Sequence, residues 1–183
     1  VYWYQTEPHA ALPAMPGAAN RVPAPEVPFW PDEETLPSAQ ELKDRGVRFL
    51  MLCGRPEQEI IYAEPGFAAE AKTGYAWDGW SLPVYHCRAD DRELRIELTT
   101  PKGARGLLRL YVTDPDNFEG GRQQTLTVAG KSLGAIRDFH EGRWLECSVG
   151  AEQTADGKVL IQARNDRDGS NAVLSIIEWL SPK

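Results

Sequence analysis

The stretch at residues 93–100, ELRIELTT, decides the fold. Leu94, Ile96 and Leu98 fall on one side of an extended chain and Arg95 and Glu97 on the other. This is the period of two that a strand with one dry and one wet face requires, and a helix of 3.6 residues per turn does not produce it. The rhythm recurs outward in RFLMLC (48–53), LLRLYVT (107–113), QTLTVA (124–129), WLECSVG (144–150), KVLIQARN (158–165) and AVLSIIEWL (172–180). EIIYAE (59–64) and the surroundings of Val84 are weaker candidates. Gly, Pro, Asn and Asp separate these runs and no helical pattern intervenes, so the reading is all-β: an antiparallel two-sheet β-sandwich. Two turns are well specified, Ala129-Gly130 before Lys131 and NDRDGSN (165–171), because Gly supplies positive φ and Asn and Asp tolerate it. AEQTADGK (151–158) reads as a longer connection closing at Asp156-Gly157.

Upstream of residue 48 the chain changes character. Eight of its 14 prolines (Pro8, Pro13, Pro16, Pro23, Pro25, Pro28, Pro31, Pro37) crowd among Ala and Gly, a density that forbids both helix and central strand. Residues 10–37 are therefore expected to be a Pro-rich linker. Before it, VYWYQTEPH (1–9) is β-prone and aromatic, and it reads as a strand remnant of a preceding domain. After it, Ser38 with Glu41 three residues on forms a capping box, and Leu42 and Gly46 bound one short helix. Residues 38–183 are then the sandwich module.

Composition narrows the function classes. With 183 residues, 42% of them hydrophobic and 26% charged, one core can remove roughly 70% of the unfolded surface from water. Wholesale disorder is excluded. No apolar run approaches the ~20 residues of a membrane span. A net charge of −7 and a pI near 5.0 argue against a grip on phosphate backbones, so nucleic acid is not an expected partner. Cys53, Cys87 and Cys147 include no CxxC pair and allow at most one disulfide. Cys53 and Cys147 sit in predicted strands and read as small buried hydrophobes. The chain opens on Val1, and its start carries no information on destination.

His9, His86 and His140 are each more than fifty residues apart and form no zinc spacing, and no G-x-S-x-G elbow is present. TDPDNFEGG (113–121) holds Asp114, Asp116 and Glu119. Their spacing suits oxygen ligation of calcium better than acid and base catalysis, so Asp114 and Asp116 are the candidate calcium ligands, with Asp166 and Asp168 as another choice. Phe118 excludes an EF-hand; solvated turn residues are the simpler alternative. The most informative local feature is GYAWDGWSLPVYH (74–86), with Tyr75, Trp77, Trp80 and Tyr85 around Asp78. Punctuated by Gly and Pro, it reads as a loop that displays its rings, and flat rings beside a carboxylate suit the apolar face and hydroxyls of a sugar. The alternative is that Trp77 and Trp80 plug an open end of the sandwich. Asn117 and Arg122 are added as polar contacts to the ligand if the two loops meet at one edge. Trp144 and Trp179 alternate with apolar residues and are expected in the core.

The pattern from LRLYVTDPDNFEGGR (108–122) through the strand opening at Asn171-Ala172-Val173 resembles the galactose-binding-like jelly-roll modules appended to carbohydrate-active enzymes, over roughly residues 48–180. Separately, VYWYQTEPHAALPAMP (1–16) resembles the end of the catalytic double jelly roll of glycoside hydrolase family 172. The first resemblance implies a carbohydrate-binding module. The second implies that the catalytic carboxylates lie outside this chain, so no catalytic residue is assigned. Together they imply an oligosaccharide or polysaccharide ligand, a preceding catalytic domain or neighbouring subunit as partner, oligomerisation through the parent protein, and a secreted or periplasmic location. A structural or assembly module that holds domains or subunits together is the alternative. A stand-alone hydrolase using Asp114 or Asp116 is the weakest reading.

Overall fold

The computed structural model describes residues 37–54, 60–78, 86–114 and 117–182, with backbone position alone for Trp77, Asp78, His86 and Glu119. The strand remnant and linker expected at 1–37 lie almost wholly outside these residues, as do Trp80, Tyr85 and Asp116. In chain order the elements are α1 (Ala39–Asp44), β1 (Val47–Leu52), β2 (Ile60–Ala63), β3 (Ala68–Ala71), β4 (Tyr75–Asp78), β5 (His86–Asp90), β6 (Glu93–Thr99), β7 (Gly106–Val112), β8 (Gln124–Val128), β9 (Lys131–Ile136), β10 (Arg143–Val149), β11 (Lys158–Asn165), β12 (Ala172–Leu174) and β13 (Ile176–Leu180).

Alternation builds the second of two five-stranded sheets, ordered β3-β6-β11-β8-β9. Leu94, Ile96 and Leu98 of β6 stand opposite Ala163, Ile161 and Val159 of β11, which in turn faces Leu126 and Val128 of β8. Directly opposed residues share a face, so these eight side chains form one dry surface, each at most 1% exposed. The first sheet, β10-β7-β13-β1-β2, contributes Phe49, Met51, Leu108, Leu110, Val112, Ile177 and Trp179 to the same core. All strand pairs are antiparallel. The Ala129-Gly130 turn between β8 and β9 has φ of 47° and 78°. Two consecutive positive φ values fit a type I′ hairpin, whose twist matches that of its strands.

The six residues of α1 are too few to hold a helix in water. The expected capping box is present: the Ser38 side chain accepts the Glu41 N–H at 3.3 Å, and Glu41 Oε2 accepts the Ser38 N–H at 2.7 Å. Leu42, 1% exposed, packs on Val47, Leu50 and Leu52 and forms a second, smaller core on the outer face of the first sheet.

The structure corrects the sequence reading at three points. AVLSIIEWL is two strands, because at Ser175 the chain leaves one sheet for another: β13 stays in the first sheet while β12 pairs with β5 in a small third sheet, β12-β5-β4. Such switches are how sandwich corners are made. Val84 lies outside the described residues, and β5 is described from His86. AAEA and KSLGAI, which lack the β-branched pattern, are strands β3 and β9, recruited by pairing to β6 and β8. Trp144 is not core: it lies opposite Tyr111, with ring centroids 5.1 Å apart and the Arg109 guanidinium 4.4 Å over its ring, whereas Trp179 is fully buried as expected.

Candidate functional site

Gly74 decides how the aromatic segment starts. Its φ is +83°, and a Cβ there would fall 2.7 Å from both the Ala89 carbonyl oxygen and Leu94 Cδ1, a contact only glycine avoids. The chain can therefore turn closely against β5 and enter β4. Tyr75, Ala76, Trp77 and Asp78 stand opposite Ala89, Arg88, Cys87 and His86. The expected loop is thus a strand as far as Asp78, and this changes what its residues can do together. Consecutive strand positions address opposite faces, so positions 75 and 77 belong to one face of the sheet and 76 and 78 to the other. Tyr75 is the chemically useful member: it lies on the sheet edge and is 50% exposed, and among the described residues only Ile60, at 42%, is another exposed large hydrophobic.

The Asp-rich loop makes a different object. Asp114 and Arg122 are 2% and 0% exposed and form a buried ion pair. Asp114 Oδ2 also accepts the Arg122 backbone N–H at 2.7 Å, and Oδ1 accepts the Phe118 N–H at 3.3 Å. Arg122 Nε donates to Asn171 Oδ1 at 2.7 Å, and its guanidinium lies 5.0 Å over the Phe118 ring. One residue pair further on, the Gln124 carboxamide donates to the Val173 carbonyl at 2.9 Å and accepts the Val173 N–H at 2.8 Å. It thereby serves the free edge of β12 as a neighbouring peptide would, in keeping with the demand that buried backbone groups be paired. The network seals one end of the sandwich where β12 parts from the sheet.

The residues expected to converge do not all do so. Asp114, Arg122 and Asn171 come together, but on the edge of β12 away from β5. β4 is two strands across, about 10 Å at ~4.8 Å per strand. Arg122 is fully buried and donates to Asn171 and Asp114 inside the protein. Asn117 is exposed, with φ of 46°. The Asp114 carboxylate is paired with the Arg122 guanidinium, and Asp116, its expected partner in a calcium site, lies outside the described residues. Asp166 is likewise engaged, accepting Thr125 Oγ1 at 2.6 Å and pairing with Arg164 at 3.2 Å. Among the described residues no three His, Cys, Asp or Glu side chains are placed to share a metal ion.

A second buried pair escaped the sequence reading. On the outer face of the first sheet Arg109 donates to Glu178 at 2.8 Å, and Arg109 Nε stands 3.2 Å from the half-exposed Glu146. Burial pushes the Glu178 carboxyl above the ordinary carboxylate range, against the pull of the Arg109 charge. The only sequence signal was a charge inside an otherwise apolar strand, in LLRLYVT and again in IIEWL.

No family model and no curated protein sequence matches the chain. Among solved structures it is similar to a β-glucuronidase of Bacteroides uniformis, with a TM-score of 0.54 at 12% identity over 79% of this chain and 19% of that one. It is also similar to the ANXUR1 extracellular domain of Arabidopsis thaliana, with a TM-score of 0.50 at 17% identity over 74% of this chain and 42% of that one. The CBM36-1 domain of a multidomain xylanase from the hindgut metagenome of Trinervitermes trinervoides gives a TM-score of 0.45 at 10% identity, over 73% of this chain and 97% of that domain. At such identities the likeness to the first two is one of fold. The chain is an antiparallel jelly-roll β-sandwich, and the solved structures it resembles at a TM-score of 0.50 or above include β-glucuronidase chains and a plant extracellular domain. It spans about a fifth of the length of the glucuronidase chains it resembles.

Proposed function

We propose that the chain is a non-catalytic, carbohydrate-binding accessory β-sandwich of a glycoside hydrolase. The observation that carries the reading is the half-exposed ring of Tyr75 on the edge strand β4, on a segment that continues through Trp77, Asp78 and Trp80. The ring supplies a flat apolar surface for a sugar face, and position 77 shares that face of β4. Arg122 and Asp114 serve in the buried scaffold on the far side of β12. Covering one ring with a sugar is worth roughly 1 to 2 kcal/mol at ~25 cal/mol per Å², so one ring gives weak binding and two give a usable site. The YWYQTEPH string supports a parent enzyme resembling glycoside hydrolase family 172, with this module following its catalytic domain in a secreted or periplasmic, oligomeric protein. An oligosaccharide array followed by calorimetry tests the reading. Tyr75→Ala and Trp77→Ala should each weaken glycan binding at least several-fold, and Tyr75→Ala should leave the melting temperature nearly unchanged. Absence of any bound glycan, or undiminished binding by both variants, would overturn it.

A second reading, a module for assembly with a neighbouring subunit or domain, is favoured by one observation. Ile60 and Tyr75, the two exposed large hydrophobics among the described residues, both lie on edge strands, β2 and β4, where unpaired backbone groups invite a partner. A concentration-dependent dimer in light scattering, dissolved by Tyr75→Ala in a protein that binds no glycan, would select this reading over the first.

A further inference from the structure

The two halves of the 172–180 segment are paired by two different strands that end against each other. β1 runs antiparallel to β13 with Leu52 opposite Ile176. The next step sets Cys53 opposite Ser175, and there the Cys53 N–H donates to the Ser175 carbonyl at 2.9 Å. β5 runs antiparallel to β12 with Leu174 opposite Arg88, so Cys87 falls one step beyond that pair, towards the same Ser175. The other edge of Ser175 belongs to β7, since its N–H donates to the Tyr111 carbonyl at 2.9 Å. Cys53 therefore approaches from the β1 side, and the residue that follows it lies against Cys87: a Cβ built on Gly54 would fall 2.3 Å from the Cys87 carbonyl oxygen and 2.6 Å from its nitrogen.

Side-chain direction agrees. Cys53 continues the inward set of Phe49 and Met51, Cys87 that of Ala89, and all are fully buried or nearly so in one core. Cys147 is elsewhere, on β10, three strands from β1 in the order β10-β7-β13-β1. That is about 14 Å at ~4.8 Å per strand, well beyond the Cα separation of roughly 7 Å that a disulfide spans.

We propose that Cys53 and Cys87 form an intramolecular disulfide when the chain folds in the presence of a disulfide oxidant, and that Cys147 stays a thiol. One thiolate attacks a sulfur of a small disulfide such as oxidised glutathione, forming a mixed disulfide and expelling one glutathione thiolate. The second cysteine thiolate then attacks the protein sulfur of that mixed disulfide, closing the Cys53–Cys87 bond and expelling the second glutathione. The two cysteines give up two protons and two electrons, and the glutathione pair receives them. Because both sulfurs end in a dry core, exchange takes place while that core is still open, and closure afterwards shields the bond from reductants. The link staples the three-stranded sheet that carries Tyr75 to the end of β1. It is independent of whether that sheet binds sugar.

The test is to refold the full, reduced chain in a glutathione redox buffer, quench it in acid, alkylate it under denaturing conditions, and map its peptides without reduction. The expected product is lighter than the reduced chain by two hydrogen atoms and carries one alkyl group, on Cys147. The peptide holding Cys53 should be joined to the peptide holding Cys87, and Cys147→Ser should give the same link with no alkylation. Three alkylated cysteines, glutathione retained on Cys53 or Cys87, or a link that includes Cys147 would overturn the proposal.

Discussion

The outer faces of the two five-stranded sheets are built on opposite principles. On the second sheet, positions between the buried ones carry Glu93, Arg95, Glu97, Lys158 and Arg164, with pairs such as Lys158 to Glu97 at 2.9 Å standing in solvent. On the first sheet the corresponding positions are covered. Leu42 of α1 closes over Leu50 and Leu52, and Arg109 and Glu178 are buried beside Trp144 and Tyr111. An ion pair in water exchanges one set of favourable contacts for another and is worth little. A buried pair has lost its hydration and depends wholly on its partner. The same residue types therefore have different consequences on the two faces.

That contrast can be tested at its strongest point by Arg109→Ala, which leaves Glu178 without its partner. Loss of one member of a buried pair should destabilise the protein by about 3 to 5 kcal/mol, read as a large drop in the urea midpoint. The double change Arg109→Met with Glu178→Leu should recover most of that loss, since it removes the charge along with its partner. If Arg109→Ala were harmless, the pair would be as wet as those of the second sheet and the contrast would collapse.

A smaller effect should appear at alkaline pH. Burial pushes the Tyr111 phenol from 10.0 up to about 12, with a hydrogen bond to Thr113 acting in the other direction. The folded pKa lies above the unfolded one, so Tyr111 contributes stability that is fully present below about pH 10 and is lost as the pH climbs towards 12. Urea midpoints measured across that range should fall more steeply for the wild type than for Tyr111→Phe. Parallel curves would mean that the phenol is not buried. The smallest effect belongs to the second sheet: Lys158→Ala should leave the urea midpoint unchanged within error, at low salt as well as at high.

Much of the sandwich was legible because its central strands alternate cleanly. ELRIELTT, KVLIQARN and QTLTV each expose one polar edge to water and so print the burial pattern in the sequence. The helix at Ser38 was legible for another local reason, since a capping box is closed within four residues. AAEA was not legible as a strand, because its pairing is imposed by β6 rather than by its own side chains. The candidate platform was legible as an aromatic cluster but misread as a loop. The strand character of Tyr75–Asp78 comes from β5, and period two then separates Trp77 from Asp78.

What the sequence determined by itself is what depends on near neighbours along the chain: strand periodicity, the cap, the Ala129-Gly130 turn, the acidic balance and the concentration of aromatic rings between 75 and 85. Tertiary structure alone decided which distant groups meet. It joined Asp114 to Arg122 and Asn171, buried Arg109 against Glu178, left Tyr75 half in water, and set the end of β1, at Cys53 and Gly54, against Cys87. The physical reason is that local periodicity specifies which face of a strand is dry, whereas the charge or thiol opposite a given residue is set by sheet order and register, which arise only when the whole core closes.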